Sequence, residues 1–344
     1  MTIIRKKKIL IIFLFILAST FFISCSNNSN NSLKVRVAFF PNLTHSQALV
    51  GMNEGQFQKA LGEGAQIEWK QFNAGPSEIE ALFAGEIDIG YIGPIPAING
   101  YDKSKGELQI IAGATDAGAI LVSRRDLCIK KIKELDKKVI AVPQYGNTQD
   151  LILRHILSEN KLKDVTRGGS VRIIQAENAD IKLLLDRKEI DAALVPEPWG
   201  SRLIKEVKAN IVLDYNEVYL QGGYSSTVVV ARKSFIKKYP DIIKTFIQTH
   251  VELTKYINEE KEKVKGVINS QINKLTGVTI PEDIMDDSFS RLIITNNPEK
   301  ESILNFIKVS QDLGIIQHDI KQEELLNLDI LTDVLRESGK GEKK

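Results

Sequence analysis

Short apolar segments alternate with segments of helical spacing from Leu33 onward. A strand pattern at residues 35–39, for example, precedes a helical pattern from about residue 44 to residue 59. This alternation is typical of βαβ units in a largely parallel sheet, because each helix returns the chain to the same edge of the sheet. From Ser234 onward the pattern is almost entirely helical. The sequence therefore predicts an α/β fold with a helical C-terminal segment.

Two such blocks follow one another along the chain. Its 344 residues are enough for about two domains, and a second series of strand and helix patterns begins near residue 120. Residues 223–231 form a long β-branched strand pattern, which we interpret as a return to the first block. We predict a first part of lobe I at residues 33–119, lobe II at residues 120–222, and the return strand and C-terminal helices of lobe I at residues 223–344.

The N-terminus has the pattern of a secretion signal. Four basic residues at positions 5–8 precede fifteen uncharged residues at positions 9–23, a stretch shorter than the ~20 apolar residues that span a membrane. The junction at Cys25, followed by polar residues, resembles a bacterial lipobox and its tether. A plain secretory signal and an uncleaved anchor are the alternatives. We predict a signal peptide at residues 1–24, lipidation of Cys25, a polar tether at residues 25–32, and extracytoplasmic anchoring to the cell membrane.

Charge and cysteine content exclude several classes of function. The chain has 46 Lys and Arg against 44 Asp and Glu, and without the basic residues at positions 5–8 the balance is 42 against 44. A nearly neutral chain has no basic field to hold a nucleic acid, so we expect no nucleic-acid partner. Cys25 and Cys128 are the two cysteines. If Cys25 carries lipid, no intramolecular disulfide forms, and no Cys-x-x-Cys zinc motif is present.

The loops that follow the predicted strands carry the candidate site residues. In open α/β sheets, ligands bind beyond the carboxyl ends of the strands, where helix N-termini direct free N–H groups into the crevice. These loops are polar and contain no Lys or Arg. The predicted ligand-binding residues are Asn42, Thr44, His45, Gly75, Pro76, Ser77, Tyr91, Gly93, Gln144, Asn147, Thr148, Glu197 and Trp199.

Five motifs along the chain occur in a characteristic order: Phe40-Pro41-Asn42, the loop and helix at residues 75–84, Gly85-Glu-Ile-Asp-Ile-Gly90, residues 141–150 and residues 191–199. In these motifs the chain resembles the nitrate/sulfonate/taurine-type substrate-binding proteins of ABC importers over about residues 33–310. The resemblance implies a type II periplasmic-binding-protein fold, in which two lobes close on a ligand cleft. It also implies a small-molecule solute and an ABC transporter permease with its ATPase as partners. We expect a monomer.

Two helix starts favour an anionic ligand. The starts predicted at Ser77 and Thr148 combine free N–H groups with the positive end of the helix dipole. Glu197 indicates that the ligand also has a positive end, as in taurine, or a neutral polar one. We therefore expect an aliphatic sulfonate or taurine-like solute, or a nitrate-like one. A metal ion held by His45 and Glu197 stays an open alternative, but two ligands are too few to predict a metal site, so our predictions include no metal and no cofactor.

No catalytic motif accompanies these loops. The sequence contains no Gly-x-Ser-x-Gly, His-Glu-x-x-His, Gly-x-x-x-x-Gly-Lys-[Ser/Thr] or Gly-x-Gly-x-x-Gly motif. We predict a binding protein and not an enzyme. The resemblance leaves one alternative, a binder of a thiamine-pyrimidine-type precursor or an enzyme of that type on the same fold. Such an enzyme needs a reactive His or Cys in the cleft, and His45 is the available residue. The paired, uncharged loops disfavour a structural lipoprotein.

Overall fold

Two β-sheets organise residues 32–341, the residues that the computed structural model describes. The strands predicted at residues 35–39 and 223–231 are present, and each begins and ends within two residues of its expected bounds. The strands are β1 (Leu33–Phe39), β2 (Ala65–Gln71), β3 (Ile89–Ile92), β4 (Leu108–Ala117), β5 (Ala119–Ser123), β6 (Val139–Val142), β7 (Arg172–Gln175), β8 (Ala192–Pro196), β9 (Asn210–Leu213), β10 (Ser225–Arg232) and β11 (Leu292–Ile294).

The first sheet has the strand order β11-β4-β10-β3-β1-β2. β1 and β3 are parallel, with Val37 opposite Ile89. β10 runs antiparallel to both β3 and β4 and lies between them. The sheet therefore combines a parallel pair from the start of the chain with a strand that arrives more than a hundred residues later.

The second sheet has the strand order β7-β6-β8-β5-β9. β6 is parallel to β7 and β8, and β5 is antiparallel to β8 and β9. The chain enters this sheet between β4 and β5 and leaves it between β9 and β10. The mixed α/β architecture with two sheets and a helical C-terminal segment confirms the predicted fold class. That the halves around the two sheets move as lobes stays a prediction.

The crossing from β4 to β5 turns on two residues with positive φ, Ala117 at 61° and Gly118 at 80°. A Cβ atom on Gly118 would lie 2.2 Å from Cδ2 of Leu292. Glycine at position 118 therefore satisfies both the backbone conformation and the close approach of β11.

Helices connect and follow the strands. The helices are α1 (Ser46–Glu54), α2 (Gln56–Leu61), α3 (Gly75–Phe83), α4 (Pro94–Lys103), α5 (Thr148–Glu159), α6 (Asn178–Asp186), α7 (Trp199–Glu206), α8 (Tyr215–Val218), α9 (Lys233–Lys238), α10 (Pro240–Glu259), α11 (Lys261–Thr276), α12 (Glu282–Ser290), α13 (Lys300–Asp312), α14 (Gln322–Leu325) and α15 (Asp329–Gly341).

Three elements differ from the sequence prediction. The helix expected at residues 44–59 is divided into a 3-10 turn, α1 and α2, because Gly55 adopts a left-handed conformation with φ 67° and ends α1. The helix α4 was not expected from its proline-rich sequence, although a proline at the first helical position is favourable. The short strand β11 interrupts the helical C-terminal segment and extends the first sheet.

Apolar packing joins both sheets. One continuous cluster of buried side chains includes Ile110 of β4, Leu121 of β5 and Ile140 of β6, and burial of such side chains is the main favourable contribution to folding. Among the described residues, no helix combines the length and the apolar character needed to cross a membrane. The predicted signal peptide and the predicted lipidation site, Cys25, lie outside the described residues.

Candidate functional site

A small cavity brings together polar side chains from the elements of both sheets. Its volume is about 40 Å³, and because one water molecule needs at least ~10–15 Å³, it has room for a group of a few heavy atoms. No Asp, Glu, Lys or Arg lines it. We call it the head-group cavity, and its lining residues are Phe40, Asn42, Thr44, His45, Asn73, Ala74, Pro143, Asn147, Gln149, Asn178, Pro196, Ser226 and Thr227.

His45 lines this cavity with a neutral imidazole ring. It ends the 3-10 turn Leu43–His45 after β1 and is 1% exposed. Its Nδ1 accepts the N–H of Phe40 at 3.3 Å, so the neutral ring carries its proton on Nε2. Burial lowers the pKa of His45 to about 3, which keeps the ring uncharged at neutral pH. The side chain therefore contributes an N–H donor without adding a positive charge.

At the start of α5, Asn147 and Thr148 have different surroundings: the first lines the cavity and the second contacts the opposite half of the fold. Asn147 lines the cavity and caps the helix, because its Oδ1 accepts the N–H of Asp150 at 2.8 Å. Thr148 does not line the cavity. Its buried Oγ1 has no hydrogen-bond partner within the described structure, and a Cβ atom on Gly93 would lie 2.5 Å from it. Thr148 and Gly93 therefore contact each other across the two halves.

The start of α3 lies earlier than the sequence predicts. The helix begins at Gly75, followed by Pro76, and Ala74 is its N-cap residue. Ser77 is the third residue of the helix, and its Oγ donates to the carbonyl oxygen of Ala74 at 2.9 Å. Ala74, and not Ser77, lines the head-group cavity. Ser77 and Gln144 line an adjoining polar cavity of about 440 Å³ instead.

Trp199 and Asn42 bind each other across the two halves. Nε1 of Trp199, at the start of α7, donates to Oδ1 of Asn42 at 3.0 Å. The guanidinium carbon of Arg202 lies 5.4 Å from the centre of the Trp199 ring, a cation–π geometry. Trp199, Asn42 and Arg202 also line a third cavity, of about 240 Å³.

Glu197 is buried away from the three cavities, which differs from the predicted contact with a ligand amine. It is 0% exposed. Its carboxylate accepts the N–H and Oγ–H of Ser201 at 3.0 Å each, accepts Oγ–H of Ser288 at 3.1 Å, and lies 3.4 Å from Nη1 of Arg291. Burial raises the pKa of Glu197, opposed by the Ser201 N–H and by the charge of Arg291. Its hydrogen-bonding capacity is thus committed to α7 and α12.

Tyr91 likewise belongs to the core rather than to the cavity lining. It is fully buried, and its hydroxyl lies 2.9 Å from Nδ1 of His250, whose Nε2 lies 2.8 Å from the carbonyl oxygen of Gly113. Burial lowers the pKa of His250 to about 4, so this ring is also neutral. The pair links β3, α10 and β4.

Several cavity residues were missed by the sequence analysis. They are Asn73, Gln149, Asn178, Ser226 and Thr227. Asn73 follows β2 and Asn178 follows β7, so the rule that ligands bind after strands would have found both. Ser226 and Thr227 lie inside β10, and only the position of this strand between β3 and β4 of the first sheet brings them to the cavity.

The site contains neutral donors and acceptors but no metal-binding cluster. Within residues 32–341, no group of three or more His, Cys, Asp or Glu side chains is arranged to hold a metal ion. His45 and Glu197 in particular have separate partners, Phe40 and the Ser201–Ser288–Arg291 group.

Comparison with protein-family models decides the family. The model of the NMT1-like family matches residues 28–270. The chain belongs to the NMT1-like family. Among similar proteins, the taurine-binding periplasmic protein of Escherichia coli K12 is 28% identical over 234 residues, which are 67% of this chain and 70% of that protein.

Solved structures share the fold of this NMT1-like protein. The alkanesulfonate-binding protein SsuA of Xanthomonas axonopodis, solved with bound MOPS, superposes with a TM-score of 0.69 at 14% identity and covers 83% of this chain and 94% of its own. The periplasmic nitrate-binding protein NrtA of Synechocystis PCC 6803 gives a TM-score of 0.72 at 15% identity, with 89% of both chains covered. These similarities establish the periplasmic-binding-protein fold.

Proposed function

We propose that this protein captures a small anion of the sulfonate or nitrate type in the head-group cavity and delivers it to an ABC importer. The observation that carries the proposal is the cavity itself, which has room for a few heavy atoms and is lined by uncharged hydrogen-bonding side chains from both sheets. The similar proteins named above bind taurine, alkanesulfonate or nitrate. All three ligands carry a compact oxyanion.

An uncharged lining suits a singly charged oxyanion. Removing such an anion from water costs free energy, which hydrogen bonds from the protein must offset. The Nε2–H of His45 and the amide groups of the lining asparagines supply donors, and hydrogen bonds to a charged group are about twice as strong as neutral ones. The start of α3 lies beside Ala74 at the same cavity, where the helix dipole favours negative charge. No basic side chain is required.

Calorimetry with ligand-free protein tests this function. The protein is unfolded in guanidinium, dialysed free of bound solute and refolded before titration. We expect 1:1 binding of ethanesulfonate, taurine or nitrate, and no binding of dimethyl sulfone, which resembles the sulfonate in size but lacks its charge. Failure of all three anions to bind, or binding of a thiamine-type aminopyrimidine alone, would contradict the proposal.

We also propose that Cys25 anchors the protein to the outer face of the cell membrane, where a binding protein would meet its permease. The support is the sequence pattern around Cys25 and the periplasmic location in the name of the Escherichia coli relative. Cys25→Ala should abolish incorporation of labelled palmitate and release the protein or leave its precursor uncleaved. Cys128→Ala is the matched control, because Cys128 is exposed in the folded part. Persistence of the label in the Cys25 variant would refute lipidation.

A further inference from the structure

The 240 Å³ cavity beside Trp199 adjoins the head-group cavity. The two cavities share Asn42, Asn73 and Asn178 as lining residues. A ligand whose anionic group lies in the smaller cavity would therefore place its body beside the same asparagines, in the larger cavity. We call the larger cavity the tail chamber.

Apolar atoms form the larger part of the surface of the tail chamber, although polar side chains such as Glu177 and Arg202 also line it. Ile272 at the end of α11 and Ile280 after it are 4% and 2% exposed, and the other apolar lining residues are Pro41, Ala179, Pro198, Trp199 and Val278. The apolar part of the walls favours a ligand portion that gains from leaving water, by roughly 25 cal/mol per Å² of apolar surface.

The wall formed by Trp199 is held in place from two directions. Asn42 accepts its indole N–H, and the Arg202 guanidinium lies over the ring. Arg202 is itself placed by Glu206, whose Oε1 lies 3.4 Å from its Nε. A fixed aromatic plane loses little conformational freedom when a ligand packs on it, so apolar contact there contributes to affinity.

The size of the tail chamber favours sulfonates with a large apolar body over two-carbon sulfonates. An apolar cavity of about 150 Å³ is sufficient for benzene, and the tail chamber has about 240 Å³. A two-carbon sulfonate whose head occupies the smaller cavity leaves most of this volume to water. The geometry points to a ligand with an apolar body: we propose that the protein binds sulfonates whose alkyl chain has about five or more carbons, or whose body is an aromatic ring. This inference rests on the proposed function.

A chain-length series tests the tail chamber. Calorimetry with n-alkanesulfonates from two to eight carbons should show affinity rising about fourfold for each methylene that enters the chamber. Ala179→Phe places a large side chain from α6 against the chamber, which Ala179 lines as an exposed residue. We expect this variant to reduce the ratio of octanesulfonate to ethanesulfonate affinity by at least about tenfold. Ala60→Phe is the matched control, because Ala60 is an exposed helical alanine of α2 that lines none of the three cavities.

Each outcome of this series bears on one proposal or on both. Affinity that is flat or falls with chain length overturns the tail chamber and leaves the sulfonate function standing. An affinity ratio in Ala179→Phe equal to that in Ala60→Phe overturns the placement of the tail. If neither short nor long sulfonates bind, the proposed function fails and the inference fails with it.

Discussion

At the scale of single residues, His45 shows how the site can bind an anion without a positive charge. Because its folded pKa is about 3 and its ordinary value is 6.5, the unfolded chain takes up a proton first as pH falls. The His45 contribution to stability is therefore present above about pH 6.5 and is lost as pH falls toward 3. Binding through a neutral Nε2–H predicts that sulfonate affinity stays constant between about pH 6 and pH 8.

His45→Asn tests this role. The asparagine Oδ1 stands where Nδ1 stood and continues to accept the Phe40 N–H, whereas the Nε2–H donor is lost. A hydrogen bond to a charged group contributes ~1.5–3 kcal/mol, so ethanesulfonate affinity should fall by roughly one to two decades. The variant should also lose less stability than the wild type between pH 7 and pH 5, while His250 and His155, whose pKa values burial also lowers, still contribute to the loss. Unchanged affinity, or wild-type affinity that rises tenfold from pH 7.5 to 6, would refute the role of a neutral His45.

At the scale of elements, the local sequence predicts the location of a site more accurately than it predicts which side chains line that site. The loop after β1 and the start of α5 were expected to carry ligand contacts, and the structure brings Asn42, Thr44, His45 and Asn147 of these elements to one cavity. That these residues bind a ligand stays a prediction. The first turn of α3 was misplaced because Gly75-Pro76-Ser77 contains two residues able to start a helix.

Contacts between residues far apart in the sequence explain why local patterns did not predict some side-chain positions. The orientation of Glu197 depends on Ser288 and Arg291, which follow it by 91 and 94 residues. No residue pattern near Glu197 predicts these two partners. Ser226 and Thr227 reach the cavity because β10 lies between β3 and β4, and that neighbourhood is set by the whole sheet. Alternation of apolar and polar residues predicts the strands, but it does not determine their order.

At the scale of the whole molecule, two specific contacts between the halves lie beside the proposed ligand. Trp199 bonds to Asn42, and Thr148 packs on Gly93. The two chain crossings near Gly118 and before Ser225 connect the halves. If the halves separate when the ligand leaves, these contacts form only on closure, and their free energy adds to ligand affinity.

Gly93→Ala should hold the halves apart. The backbone at Gly93 has φ −64° and ψ 149°, which alanine adopts without strain, so the substitution acts through its Cβ atom, placed 2.5 Å from Thr148 Oγ1. Overpacking of this kind costs ~1–3 kcal/mol, which corresponds to a loss of ligand affinity of roughly fivefold to 150-fold. Small-angle scattering should show a smaller radius of gyration on addition of ethanesulfonate to the wild type, and less contraction in the variant.

Adding Thr148→Ala to Gly93→Ala removes the clashing oxygen and should restore both the ligand affinity and the contraction. Gly266→Ala, where a Cβ meets nothing within 4 Å, is the control. Wild-type affinity and contraction in Gly93→Ala would show that this contact does not limit closure.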